Sequence, residues 1–140
     1  IQTAMRLSEQ LNLLWSNVDL SKRTAFLPAA VTKGNRSRTV PLSDKAMQVL
    51  SEIPRNINGK VFPMSLNYHN KGWRALTKRG GIVGLRWHDL RREATSRFFE
   101  DGLSITEVQS ITGHRTLQML STYTTHNAEN LVVKLRKMES

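Results

Sequence analysis

The chain has 140 residues, 39% of them hydrophobic, which suits one domain with a single core and excludes a disordered tail. Its 21 Lys+Arg against 11 Asp+Glu give a net charge of +10, a surplus that favours a polyanionic partner, with nucleic acid the first candidate. Cysteine is absent, which excludes disulfides, thiolate metal sites and cysteine nucleophiles and fits a cytoplasmic location; no apolar run nears membrane-span length, and residues 1–15 lack the order of a signal peptide.

Ile1 leads at once into Met5-Arg6-Leu7-Ser8-Glu9, an opening that predicts further elements upstream. Residues 8–15 read as a helix with Ser8 as N-cap and Leu11, Leu14 and Trp15 on one face. Thr24–Leu27 and Ser37–Leu42 read as strands, joined through a turn at Thr32-Lys33-Gly34-Asn35-Arg36, and Pro41 predicts an edge position or a strand end. Ser43 caps a helix carrying Ala46, Val49, Leu50 and Ile53, which Pro54 stops. Lys60–Phe62 is the expected third strand. Ser65 opens a basic helix from Leu66 to about Arg79, closed by Gly80-Gly81. A helix over His88–Asp101 follows. Ser104-Ile105-Thr106-Glu107 is a capping box for a short helix ending at Gly113. Thr116–Tyr123 is expected to be helical, and Asn127 to cap a last amphipathic helix with Leu131, Val132, Leu135 and Met138. The fold class is mainly α (α+β), with a small three-stranded antiparallel sheet.

The chemistry-bearing residues cluster late in the chain. Three residues apart on a helix, His88 and Arg91 share a face and can meet an anion there. Asp89 and Glu93 lie on another face and are expected to pair with arginines such as Arg92 or Arg97. There is no HExxH motif, EF-hand loop or close carboxylate cluster, and no Walker A or GxGxxG loop, so a metal-dependent nuclease and a nucleotide hydrolase lack support. No cofactor is expected. A phosphoryl transfer without metal needs a nucleophile, donors for the non-bridging oxygens and an acid for the leaving oxygen. His114 follows Gly113, and Tyr123 lies nine residues beyond His114; the other tyrosine, Tyr68, is far from this cluster in sequence. His69 and His126 read as structural histidines, and Trp73 as a packing residue.

These residues resemble the catalytic domain of the tyrosine recombinases, the phage integrase family. Met5-Arg6-Leu7-Ser8-Glu9 is similar to the family's first arginine motif, and Thr32-Lys33 with Arg38-Thr39-Val40-Pro41-Leu42 to its lysine hairpin. His88-Asp89-Leu90-Arg91 matches HxxR, Thr112-Gly113-His114 resembles LGH, and Tyr123 sits where the nucleophile belongs. Met5 stands where Gly is frequent, and Thr112 where the motif has Leu. The resemblance implies that Tyr123 attacks the scissile phosphate to form a 3′-phosphotyrosyl link. Arg6, Arg91 and His114 would hold the non-bridging oxygens, Lys33 would protonate the 5′-oxygen, and His88 would assist proton transfer. It also implies double-stranded DNA as partner, self-association as a tetramer on DNA, no membrane, and an N-terminal DNA-clamping domain beyond this segment.

Arg36, Arg38, Lys71, Arg74 and Lys78 are candidate DNA contacts. Two other readings share parts of this pattern. A type IB topoisomerase uses the same chemistry, and a non-catalytic integrase remnant would bind DNA without cleaving it. The last helix is expected either to fold onto its own domain or to dock on a neighbouring protomer.

Overall fold

The computed structural model describes residues 1–124 and 128–138. The element order is α1 (Leu7–Leu11), β1 (Val18–Asp19), β2 (Thr24–Leu27), β3 (Arg38–Pro41), α2 (Asp44–Glu52), α3 (Leu66–Arg79), α4 (Trp87–Glu100), α5 (Ile105–Thr112) and α6 (Ala128–Met138), with a 3-10 segment at Leu117–Tyr123. The mainly helical architecture with one three-stranded antiparallel sheet agrees with the expected class.

The sheet runs β1-β2-β3, so β3 is an edge and tolerates Pro41 opposite Thr24. Alternation sorts its faces: Ala25, Leu27 and Val40 are buried, whereas Phe26 and Thr39 are exposed. Met5, Leu13, Trp15, Leu42, Ala46, Leu50, Val61 and Ile111 close over that inner face to form the core. The third strand is Val18–Asp19 and not Lys60–Phe62. Residues 59–61 instead bond to the segment after α1: the Trp15 N–H reaches Gly59 O at 2.8 Å and the Val61 N–H reaches Leu13 O at 2.9 Å. Val61 is thereby buried in the core beside the sheet without joining it.

The first helix is also shorter than expected. Arg6, not Ser8, holds the N-cap position, because the Glu9 carboxylate accepts the Arg6 N–H at 2.8 Å. After Leu11 the chain leaves the helix, so Leu13 and Trp15 turn inward and Leu14 is exposed.

The other caps act as the sequence implies. Ser43 Oγ accepts the Ala46 N–H and Ser65 Oγ accepts the Tyr68 N–H. Only Ala46 and Leu50 of α2 are buried; Val49 faces outward. α3 buries none of its residues. It leans on α4 through aromatic edges: the Trp73 and His69 rings stand 5.1 and 4.4 Å from Trp87, both near perpendicular. The Trp73 indole N–H donates to Leu85 O at 3.3 Å. Residues 131–138 of α6 are exposed. The expected cap Asn127, and His126, lie outside the described residues. Among the described residues no helix is long and apolar enough to cross a membrane.

Candidate active site

α5 carries the centre of the site. Its start is a full capping box: Ser104 Oγ accepts the Glu107 N–H, and Glu107 Oε2 accepts the Ser104 N–H at 2.7 Å. Its end is Gly113, left-handed at φ 73°, which lets the chain turn sharply into His114. A second constraint acts on the same glycine. A Cβ at residue 113 would lie 3.0 Å from Nη1 of Arg38.

Arg38 is packed there because three N–H groups of its guanidinium bond inside the protein. It forms a two-pronged ion pair with Glu9, Nη1 to Oε1 at 2.8 Å and Nη2 to Oε2 at 2.7 Å, and Nε donates to Ile111 O at 2.7 Å. The Arg38 side chain is 9% exposed and the Glu9 side chain 0%. Arg38, expected as a DNA contact, thus braces α1, β3 and the end of α5. Glu9 also accepts from the Arg6 guanidinium at 3.3 Å. Burial pushes the Glu9 carboxyl up, but the Arg38 and Arg6 hydrogen bonds outweigh it and hold its pKa below the usual range.

Arg91 comes from the first half of α4 and is buried. Its guanidinium donates to Ala4 O and, at 2.7 Å, to Thr112 O, tying α4 to the N-terminal segment and to α5. Burial first, then the nearby charge of Arg6, lowers its pKa to about 10, so it stays cationic near neutrality. His114 is half-buried, with Nδ1 2.6 Å from Thr112 Oγ1. Burial first, then Arg91, Arg6 and Arg38, lowers its pKa to about 4, which keeps the ring neutral in the free protein. His88 is exposed; partial desolvation and then Arg91 lower its pKa, with Asp89 opposing.

Arg6, Arg91, His114 and His88 therefore lie within each other's electrostatic reach. Arg6 and His114 line one groove of about 380 Å³ together with Arg36, Arg38 and Arg115, and among the described residues no carboxylate lines it. An anion is the complementary ligand. Tyr123 ends the 3-10 segment half-buried, stacked on Phe99 at 6.3 Å and within electrostatic reach of Arg91.

Lys33 stands apart. It is exposed on the connection between β2 and β3, and its neighbours Thr32 and Gly34 line the groove where it does not. That connection is a 3-10 turn at Ala29–Val31 followed by the expected turn, closed by the Asn35 N–H to Thr32 O and the Arg36 N–H to Thr32 Oγ1. Lys71, Arg74 and Lys78 are exposed on α3, spaced to share one face, away from the groove. As expected, both carboxylates pair with arginines: Glu93 with Arg97 at 2.9 Å, and Asp89 with Arg86 at 3.5 Å, where it also accepts the Arg86 N–H and caps α4. Among the described residues no group of three or more His, Asp or Glu could hold a metal ion.

Two participants are not evident as such in the sequence. Glu9 sits three residues after Arg6, which is a usable capping signal, but its main partner Arg38 is 29 residues away. Thr112 reads only as a departure from a motif, and the structure places its hydroxyl on His114.

A cluster of arginines and histidines beside a tyrosine is thus carried on a helical domain with a small sheet. The chain belongs to the phage integrase family, whose profile matches residues 1–130. It is 45% identical over 136 residues to the shufflon-specific DNA recombinase of Escherichia coli, covering 96% of this chain and 35% of that protein. A putative integrase/recombinase of Haemophilus influenzae is 37% identical over 86% of this chain and 32% of its own length. The chain thus spans about a third of the length of these relatives. Among solved structures, XerA recombinase superposes with a TM-score of 0.75 at 22% identity, over 99% of this chain and 55% of that one. The catalytic domain of bacteriophage HP1 integrase gives 0.69 at 25% identity, over 94% and 74%.

Proposed function

We propose that residues 1–140 form the catalytic domain of a site-specific tyrosine recombinase that breaks and rejoins double-stranded DNA inside the cell. The observation that carries this reading is the convergence of Arg6, Arg91 and His114, distant in sequence, at the end of α5 with Tyr123 beside them. Tyr123 Oη attacks phosphorus, the P–O5′ bond breaks, and a 3′-phosphotyrosyl ester forms. The leaving 5′-oxygen takes a proton, the tyrosine gives one up, and the reverse attack by a 5′-hydroxyl restores the diester. Arg6 and Arg91 meet the charge that grows on the non-bridging oxygens, and His114 adds a third donor. His88, beside Arg91, is placed to relay the tyrosine's proton. Lys33 serves as the acid once the connection between β2 and β3 bends over bound DNA, since it stands outside the groove in the free protein.

Arg36, Lys71, Arg74 and Lys78 hold the DNA backbone. The exposed apolar residues of α6, among them Leu131, Val132 and Leu135, dock on a second copy when protomers assemble as a tetramer on DNA. Solved structures of similar fold, the Tn1549 transposon integrase and XerH recombinase, are complexes with DNA.

The test is covalent capture. A library of nicked suicide duplexes with a randomised core is incubated with the protein, and adducts that survive denaturant are isolated. The wild type forms a phosphotyrosyl adduct and Tyr123→Phe forms none; an adduct that persists in Tyr123→Phe refutes the assignment. Relaxation of plasmid without sequence preference would favour a topoisomerase instead.

A further inference from the structure

We propose that Thr112 is a positioning residue for this reaction: its buried hydroxyl anchors the Nδ1 edge of His114, so that Nε2 is the ring nitrogen offered to the scissile phosphate. The inference rests on the strand-transfer reading above. Thr112 is 0% exposed, and its Oγ1 lies 2.6 Å from His114 Nδ1 and 2.8 Å from Val108 O. A hydroxyl has one proton and accepts with its lone pairs. When that proton goes to the Val108 carbonyl, one turn back on α5, Oγ1 accepts from a protonated Nδ1. When the hydroxyl turns to Nδ1, the neutral ring carries its proton on Nε2. In both arrangements Nδ1 is occupied and Nε2 faces the ligand; Nε2 donates to a phosphate oxygen in the second arrangement, and in the first once the ring takes a second proton, which is how a partner on one ring nitrogen sets the work of the other.

The anchor also fixes the ring's direction. His114 follows a left-handed glycine and is held on its backbone side by Gln109, whose amide donates to His114 O at 3.1 Å. The same Thr112 accepts the Arg91 guanidinium on its carbonyl at 2.7 Å, so one buried residue touches both phosphate ligands. A leucine here, as in the resembled motif, could supply the carbonyl but no hydroxyl. The hydroxyl is what orients the imidazole, and the motif's leucine lacks it.

The experiment compares Thr112→Val, of matching shape without the hydroxyl, and Thr112→Ser, which keeps it. Single-turnover cleavage is measured on the duplex selected by covalent capture, with the DNA dissociation constant measured separately. Loss of ring orientation is expected to slow cleavage about 10- to 100-fold in Thr112→Val, with DNA affinity unchanged and the rate restored in Thr112→Ser. In a His114→Ala background, Thr112→Val is expected to add no further loss, because it acts through the imidazole. A wild-type rate in Thr112→Val, a Thr112→Ser variant as slow as Thr112→Val, or losses that multiply would each overturn the proposal.

A second arm needs no DNA. The ¹⁵N shifts of the His114 ring are recorded on the protein alone, where Thr112→Val is expected to redistribute the tautomers and Thr112→Ser to preserve them. Unchanged ring shifts in Thr112→Val overturn the anchor. If the wild type forms no adduct, the strand-transfer reading fails while this arm still decides the contact.

Discussion

Glu9→Gln probes the buried framework most directly. The carboxylate is 0% exposed and receives four donors: two from Arg38, the Arg6 N–H and the Arg6 guanidinium. Glutamine keeps the shape but not the charge, and its amide nitrogen presents hydrogens to one prong of Arg38. Breaking one side of a buried pair costs about 3–5 kcal/mol, chiefly because the remaining charge is left buried. Arg38 keeps the Ile111 carbonyl and is 9% exposed, which places Glu9→Gln near the low end, about 3 kcal/mol. Against a domain stability of about 5–15 kcal/mol that is a large fraction. Urea unfolding followed by far-ultraviolet circular dichroism reads it as a shift in midpoint at constant slope. Replacing both partners, in Glu9→Gln with Arg38→Met, is expected to be less destabilising than the two single changes added together. A Glu9→Gln variant within about 1 kcal/mol of the wild type, or a double variant showing strict additivity, would refute the view that this pair holds the site together.

Acid is expected to weaken the fold through two groups of like sign. The unfolded chain binds a proton on His114 below about pH 6.5 that the native chain refuses down to about pH 4, so stability falls as pH falls through that window. Discounted for screening at a half-exposed ring, the loss is about 1–2 kcal/mol, checked by urea midpoints between those pH values and by their flattening in His114→Phe. Glu9, held below its ordinary pKa, adds a loss at still lower pH, as its stabilisation disappears when the native carboxylate protonates. Gly113→Ala is expected to cost about 1–2 kcal/mol for the left-handed backbone, and more where the new Cβ meets Arg38, giving a lower thermal midpoint; an unchanged midpoint would contradict the geometry. Removing Lys71 or Arg74 is expected to reduce the slope of log affinity against log salt by about 0.9 each without altering thermal stability. Arg38→Ala is expected to do the reverse, lowering stability and leaving the slope alone.

Local signals carried much of this structure. α3 begins and ends where Ser65 and Gly80 place it, and α5 where Ser104 and Gly113 do, because caps are read within a few residues. The first helix was harder: Ser8 is a good cap by type, yet the Glu9 carboxylate serves the Arg6 N–H and starts the helix earlier. Lys60–Phe62 has strand character but finds its hydrogen bonds at residues 13–15, a choice set by tertiary packing. Arg38 shows the limit for the site. In sequence it is one cation in a basic stretch beside Arg36, and nothing nearby announces that its partner is a buried glutamate on another element. Lys33 shows the converse, since a motif can name a residue without saying that its side chain lies exposed outside the groove.

The arginines can now be separated by how their donors are used. A guanidinium has five N–H groups. Arg38 directs both prongs and Nε into the protein, which commits three of its five N–H groups to Glu9 and Ile111. Arg91 gives one N–H to Ala4 O and one to Thr112 O, and Arg6 gives one to Glu9, which leaves both with donors for a phosphate. Arg91 thus combines two duties. Its side chain fastens the N-terminal segment and α5 to α4, and its charge acts on His114 and His88. Arg91→Ala would therefore remove transition-state stabilisation and also leave two buried carbonyls without their donor. The kinetic loss belongs to the phosphate only after the loss of folded protein has been measured and set aside. Arg6→Ala carries less of this ambiguity: its side chain is 22% exposed, and Glu9 keeps Arg38 when it is gone. Of the two arginines, Arg6 is the cleaner probe of how much cleavage depends on a guanidinium at the non-bridging oxygens.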